Sequence, residues 1–259
     1  MSQKPIQFGR PLVVAHRGLS GICPENTLPA FAAALALGVD EIELDLWASC
    51  DGELVVCHDP DVDRTSNGHG LIRDLNWSVI RALDAGSWHA PGWAGVPFCR
   101  FEDVLDLCAG RVVINVHVKE PGPEGLLLRR TRELATARGQ LKTIYIAGEK
   151  DVLEWAASIA PDVARCCLEN PGNGAAMLDS ALEHGCSRVQ FWNPNLTAAD
   201  IERAHANGIL CNLFSGDRPD TPAEAIRLCR LGIDAVLTNW ANLVLPALRE
   251  FRAGANSGC

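Results

Sequence analysis

The sequence predicts an α/β fold, a TIM (β/α)8 barrel with a small insertion after its second strand. Three observations predict it. There are eight short strand-like runs, a helical stretch follows each of them except the second, and 259 residues are enough for eight such units in one domain. On this reading residues 1–259 form a single barrel and 60–97 is an insertion within it.

The first strand runs from Leu12 to His16 and breaks at Arg17-Gly18-Leu19-Ser20-Gly21. Leu28 to Leu37 is rich in helix formers and stops at Gly38, a residue suited to the left-handed turn that ends a helix. The second strand begins at Glu41 and alternates. Glu41, Glu43 and Asp45 take one face, and Ile42, Leu44 and Leu46 the other. Alternation alone also fits a half-exposed antiparallel strand. The residues after the strand make the difference: Asp51-Gly52 signals a turn, and Leu54-Val55-Val56 leads back to His58-Asp59, bringing carboxylates and an imidazole together. Strand, helix, strand at this spacing favours parallel neighbours joined by a right-handed crossover.

From Pro60 to Pro97 no long period holds, and Trp77, Trp88 and Trp93 stand among Gly, Asp and Asn. Such a stretch either covers the substrate or anchors a satellite core around the tryptophans. Strands then come at Val112–Val118, Thr143–Ala147, Ala164–Leu168, Arg188–Trp192, Ile209–Phe214 and Ala235–Thr238. The helices are Pro123–Arg138, Lys150–Ala160, Gly174–His184, Thr197–Asn207, Thr221–Leu231 and Ala241–Phe251.

Composition excludes some functions. With 23 Lys and Arg against 32 Asp and Glu, the net charge of -9 does not suit nucleic acid or an anionic membrane surface. Eleven cysteines with no C-x-x-C pair read as reduced thiols. The apolar run near the amino terminus, Leu12 to Ala15, is too short for a signal peptide or a membrane span. The expectation is a soluble cytoplasmic protein without stable membrane insertion.

In a barrel, inward polar residues near the carboxyl ends of strands form a cup. Asn115, His117 and Lys119 share one face of the third strand. Arg165, Cys167 and Glu169 share one face of the fifth, Gln190 and Trp192 of the sixth, and Asn212 and Phe214 of the seventh. On this reading His16, Glu43, Asp45, His58, His117, Lys119 and Glu169 converge. Adjacent carboxylates repel unless a cation lies between them, and oxygen ligands suit hard divalent ions. Two histidines that give and take protons, a metal, and the cations Arg17 and Lys119 suit attack on a phosphodiester.

His16-Arg17-Gly18, Pro24-Glu25-Asn26-Thr27, Glu43-Leu44-Asp45 and His58-Asp59, with Asp63-Arg64-Thr65-Ser66-Asn67-Gly68-His69-Gly70, resemble the glycerophosphodiester phosphodiesterase family. Gly232 to Asn239 is similar to that family's last strand, so the resemblance spans nearly the whole chain. It implies a TIM barrel, a divalent metal, and hydrolysis of a small soluble glycerophosphodiester to glycerol 3-phosphate and an alcohol. It also implies His16 and His58 as acid and base, Glu43 and Asp45 as metal ligands, Arg17 and Lys119 as phosphate contacts, and Glu25 as a residue that orients its loop.

Two departures matter. The family typically has a glutamate at the position of His117. An imidazole there widens the expected cofactor from Mg, Ca or Mn to Zn. Three ligand sets are open: Glu43, Asp45 and His117; Glu43 and Asp45 with Glu169; or the two carboxylates with water. The second departure is Thr238-Asn239-Trp240, where the family usually has an aspartate after the threonine. Trp192 and Trp240 at the rim suit a sugar face, so an alternative substrate is a sugar phosphodiester, an opine of the agrocinopine type. Two further alternatives are a lyase that stops at the cyclic phosphate and a non-catalytic barrel that only binds phosphodiesters. The sequence indicates no protein partner and no oligomeric state.

Overall fold

The computed structural model describes residues 11–169, 174–191, 196–214 and 221–256, with side chains to residue 251. Eight parallel strands close into a ring: β1 (Leu12–Ala15), β2 (Glu41–Ala48), β4 (Val113–Val118), β5 (Ile144–Gly148), β6 (Ala164–Cys167), β7 (Arg188–Phe191), β8 (Leu210–Phe214) and β9 (Ala235–Thr238). The pairing of β1 with both β2 and β9 completes the ring, which is a TIM barrel. β3 (Leu54–Val56) lies outside it, antiparallel to Leu46–Ala48 at the end of β2. It is the returning arm expected from the Asp51-Gly52 turn.

The helices are α1 (Leu28–Leu37), α2 (Trp77–Ile80), α3 (Phe101–Cys108), α4 (Leu126–Ala137), α5 (Lys150–Ile159), α6 (Gly174–Glu183), α7 (Ala198–Ala206), α8 (Pro222–Leu231) and α9 (Ala241–Asn256). Local chemistry fixes several of their ends. α1 stops at Gly38 in the left-handed conformation. The Thr197 hydroxyl accepts from the Asp200 N–H at the start of α7, and Thr221 does the same for Glu224 at the start of α8. No helix among the described residues is long and apolar enough to cross a membrane.

α3 has no counterpart in the sequence reading. It is eight residues long and starts without a Ser, Thr, Asp or Asn cap. Instead, the Asp103 carboxylate in its first turn accepts from the Arg100 N–H. Its Phe101, Val104, Leu105 and Cys108 pack into the layer between ring and helices. α3 therefore supplies the helix of the second β/α unit, and 60–97 lies between β3 and α3. Within that stretch Val62, Ile72, Ile80 and Ala85 form a small core with Val55, Cys57 and Phe98, against which Trp47 and Trp77 pack.

Inside the ring the filling is partly polar. Leu12, Val14, Ala235 and Leu237 cluster on one side, and Tyr145, Ala147, Cys166 and Leu168 on the other. At the base, Arg188 donates to Glu41 at 2.9 Å and its guanidinium lies 4.4 Å from the centre of the Tyr145 ring. The Tyr145 hydroxyl donates to Glu41, and Asn212 donates to that hydroxyl. Asn115 donates to Gln190.

β6 corrects one expectation. Cys166 and Leu168 point inward, whereas Cys167 belongs to the helix-facing core. Glu169 lies on the side of Cys167 and accepts a hydrogen bond from Ser180 of α6. It does not converge on the cup and cannot restore a third carboxylate. The phase was misread because β6 has an inward apolar pair where its neighbours have inward polar residues. Trp192 lies outside the described residues.

Candidate active site

The parallel register of β2 and β4 sets Glu43 beside Asn115 and Asp45 beside His117. Because β2 alternates, Glu41, Glu43 and Asp45 rise along one inner face. Glu41 belongs to the base, and the other two line the cup. His117 Nδ1 lies 3.1 Å from Asp45 Oδ1 and 4.0 Å from Glu43 Oε1, and Lys119 Nζ lies 2.8 Å from Asp45 Oδ1.

The loop after β1 closes over this pair. Its backbone is unusual: Arg17 and Asn26 both have positive φ, at 55° and 57°. Strained non-glycine residues of this kind gather where geometry is fixed for function. Gly18 also has positive φ, and a Cβ there would stand 2.7 Å from the Ala30 backbone, so the residue after Arg17 has to be glycine. The Arg17 N–H donates to Glu43 Oε2 at 2.9 Å, while its guanidinium reaches Glu25 at 2.8 Å and Asp45 at 3.3 Å. Asn26 donates its side-chain N–H to Asp45 Oδ2.

His16 is buried, with its ring centre 4.4 Å from that of Phe214. Its Nδ1 lies 2.7 Å from Asn239 Oδ1, which also accepts from Ser20. This bond assigns the proton to Nδ1 and leaves Nε2, 3.9 Å from Glu43, as the basic nitrogen. His58 follows β3 and is half-exposed; its Nδ1 lies 2.7 Å from Asp59 Oδ1, and Trp47 holds its carbonyl. The ion pairs of Asp59 with Arg64, Arg64 with Glu25 and Glu25 with Arg17 tie it to the loop that closes over the cup.

Burial and then Arg17 lower the His16 pKa to about 4, so the ring is neutral near pH 7. Burial and the adjacent Asp45 raise Glu43 to about 8. Burial also works against charge on Asp45, but Lys119, His117 and Arg17 outweigh it and hold Asp45 well below the ordinary carboxylate range. His58 and His117 are lowered chiefly by burial.

Glu43, Asp45 and His117 offer ligand atoms that all lie within 4.8 Å of one another. Asp45 Oδ1 is buried and takes no hydrogen bond of good geometry, and Lys119 acts on it only as a nearby charge. Two carboxylate oxygens and an imidazole nitrogen fit a divalent cation. Beside them a cavity of about 390 Å³ is lined by His16, Arg17, Ser20, Gly21, Glu25, Phe214, Asn239 and Trp240. Trp240 is 39% exposed at its rim. A Cβ on Gly21 would collide with its ring at 2.6 Å.

Most of the sequence-derived residues are thus together: His16, Arg17, Glu43, Asp45, His58, His117 and Lys119, with Trp240 at the mouth. Asn26, Asp59, Arg64 and Asn239 also hold the site. Asn26, Asp59 and Arg64 lie inside the family motifs and Asn239 stands at a departure from them, and spacing alone does not show which of the four turns inward.

The sequence profile of the glycerophosphoryl diester phosphodiesterase family matches residues 16–159. A glycerophosphodiester phosphodiesterase of Caldanaerobacter subterraneus is 29% identical over 93% of this chain and 99% of its own length. One from Bacillus subtilis is 30% identical over 90% and 85%. Among solved structures, a glycerophosphodiester phosphodiesterase from Agrobacterium tumefaciens superposes with a TM-score of 0.76 at 27% identity, over 94% of this chain and 99% of that one. An Oleispira antarctica phosphodiesterase, in complex with the product sn-glycerol-3-phosphate, gives a TM-score of 0.82 at 24% identity, over 93% and 98%.

Proposed function

The chain belongs to the glycerophosphoryl diester phosphodiesterase family, whose members are phosphoric diester hydrolases, and from that premise we propose that it hydrolyses a small glycerophosphodiester by two-histidine acid/base catalysis with a divalent cation. The observation that supports this reading is the cluster of His16, Glu43, Asp45, Arg17 and Lys119, to which His58 is linked through Asp59, Arg64 and Glu25. Neutral His16 takes the proton of the attacking water through Nε2. The phosphorus–oxygen bond to the alcohol breaks, and His58, backed by Asp59, gives its proton to the leaving oxygen. Arg17 and Lys119 face the charge that grows on the phosphoryl oxygens. Glu43, Asp45 and His117 would hold the cation, which supplies Lewis-acid polarisation when bound.

The test is phosphorus NMR on metal-stripped protein with glycerophosphocholine and a sugar phosphodiester, adding magnesium, calcium, manganese and zinc in turn. A new phosphomonoester supports hydrolysis and identifies the diester consumed. A persistent cyclic phosphate would replace this reading with a lyase, and metal-dependent binding without any product would replace it with a binding barrel. The sugar diester stays in the test because Trp240 lines the rim of the cavity and is partly exposed there.

Glu43 has to lose its proton to ligate. With its pKa at about 8, cation affinity is expected to fall roughly tenfold for each pH unit below that value. Calorimetry at pH 7 in buffers of different ionisation enthalpy should show about one proton released per cation bound. Release of none would mean that Glu43 is already ionised at pH 7 or does not ligate, and Glu43→Gln separates the two by weakening cation binding only in the first case.

His117→Glu restores a third carboxylate. It should shift preference toward magnesium and calcium and weaken zinc binding, read by competition between ions at equilibrium. An unchanged ranking would remove His117 from the ligand set.

A further inference from the structure

Arg64 lies in the stretch between β3 and α3, outside both the ring and the cup lining. Its guanidinium uses all three nitrogens. Nη1 and Nη2 donate to the two oxygens of Glu25 at 3.1 and 2.8 Å, and Nε donates to Asp59 Oδ2 at 2.5 Å. Each carboxylate has a second partner on the site side. Glu25 Oε1 accepts from Arg17, and Asp59 Oδ1 accepts from His58 Nδ1. Opposite charges therefore alternate without a break from Lys119 through Asp45, Arg17, Glu25 and Arg64 to Asp59, which holds His58. Arg64 is the one member of this series contributed by 60–97.

From this geometry we infer that Arg64 is a positioning residue, joining the His58 arm to the Arg17 loop so that the two sides of the cup hold a fixed separation. The inference rests on the reading of His58 as the proton donor. Three features support it. The residues flanking Arg64 are anchored, because Val62 is buried in the satellite core and Thr65 is also buried. The Trp88 ring lies 5.8 Å from the guanidinium on the insertion side. Arg64 is also 44% exposed, and exposed ion pairs contribute little to stability, so its loss should register in turnover rather than in melting. Only a planar fork can serve two carboxylates in this way, and an ammonium group cannot reproduce it.

The test uses the full-length protein, glycerophosphocholine as substrate, and the cation that supports turnover. Arg64→Ala should lower kcat by about 10- to 100-fold, the range for groups that orient a reacting side chain, with KM changed by no more than about threefold. Arg64→Lys keeps charge and bulk, so it is the variant to use if alanine does not fold. It should still lose roughly tenfold in kcat because the fork is gone. Added guanidinium at millimolar concentration should restore part of kcat in the alanine variant, and methylammonium should not. Combined with Asp59→Asn, Arg64→Ala should add little further loss, since both act through His58. Unchanged kcat in both Arg64 variants, alongside a collapsed His58→Ala, would overturn the inference alone. A rise confined to KM would also overturn it by making Arg64 a substrate contact, and equal rescue by the two cations would overturn it by removing the fork. An undiminished His58→Ala would instead overturn the reading beneath it.

Discussion

His16→Gln and His58→Gln are each expected to lower kcat by about 10²- to 10⁴-fold, the range for a positioned acid or base, while the barrel stays folded. The two losses have different physical sources. His16 is enclosed by Phe214 and Asn239 with its proton fixed on Nδ1, so its replacement removes a neutral base from a site that admits no substitute. His58 is half-exposed and leans on Asp59, so its replacement removes the group that would protonate the leaving oxygen. The second loss should shrink for a diester whose alcohol is acidic enough to leave unprotonated, such as a nitrophenyl ester, and the first should not. Steady-state kinetics of both variants on both diesters decides the assignment. Relief of His16→Gln by the better leaving group would exchange the two roles, and retention of more than a tenth of wild-type kcat by either would withdraw that residue from the chemistry.

The largest expected effect on stability lies at the base of the ring. Glu41→Leu leaves the Arg188 guanidinium buried without its carboxylate, and breaking a buried pair in this way costs about 3–5 kcal/mol. In a chain of this length that corresponds to a fall in Tm of roughly 10 °C. Glu41→Leu with Arg188→Leu should recover most of the loss, because a well-packed apolar pair avoids the desolvation that the ion pair bears. Chemical denaturation of wild type, single and double variants provides the comparison. If the double variant is as unstable as the single, the damage comes from the shape of the base, including the Tyr145 and Asn212 hydrogen bonds, and not from an unpaired charge.

The ring was legible in the sequence because periodicity records burial. Alternation in β2 separated Ile42, Leu44 and Leu46 from the three acids, and the helix that stops at Gly38 placed the next strand beside the first. The cup was legible where polar residues fell on the inward phase, as with His117 and Lys119. The same rule failed at β6, whose inward residues are Cys166 and Leu168 and whose Glu169 turns to Ser180. Nothing in the local sequence sets that phase, which depends on how neighbouring strands shear past one another. α3 was invisible for a related reason: eight residues without a recognised cap make too weak a signal, and tertiary packing supplies the rest. The roles of Arg64 and Asn239 depend on contacts made across the chain, Arg64 to Glu25 39 residues earlier and Asn239 to His16 across 223 positions, which no window of sequence can show.

β3 pairs with the last residues of β2 and, through Val55, with Arg100, and takes no place in the ring. His16 is therefore mounted on the scaffold, whereas His58, its partner in the proposed mechanism, sits on an appendage that runs on into the stretch bearing Arg64 and Trp88. The two parts meet through the ion pairs of Arg64 with Asp59 and Glu25, and Glu25 in turn holds Arg17. Exchange of residues 57–100 between relatives would therefore carry His58, Asp59 and Arg64 across as one unit, and the barrel that receives them has to offer a carboxylate at the position of Glu25 for the two parts to engage.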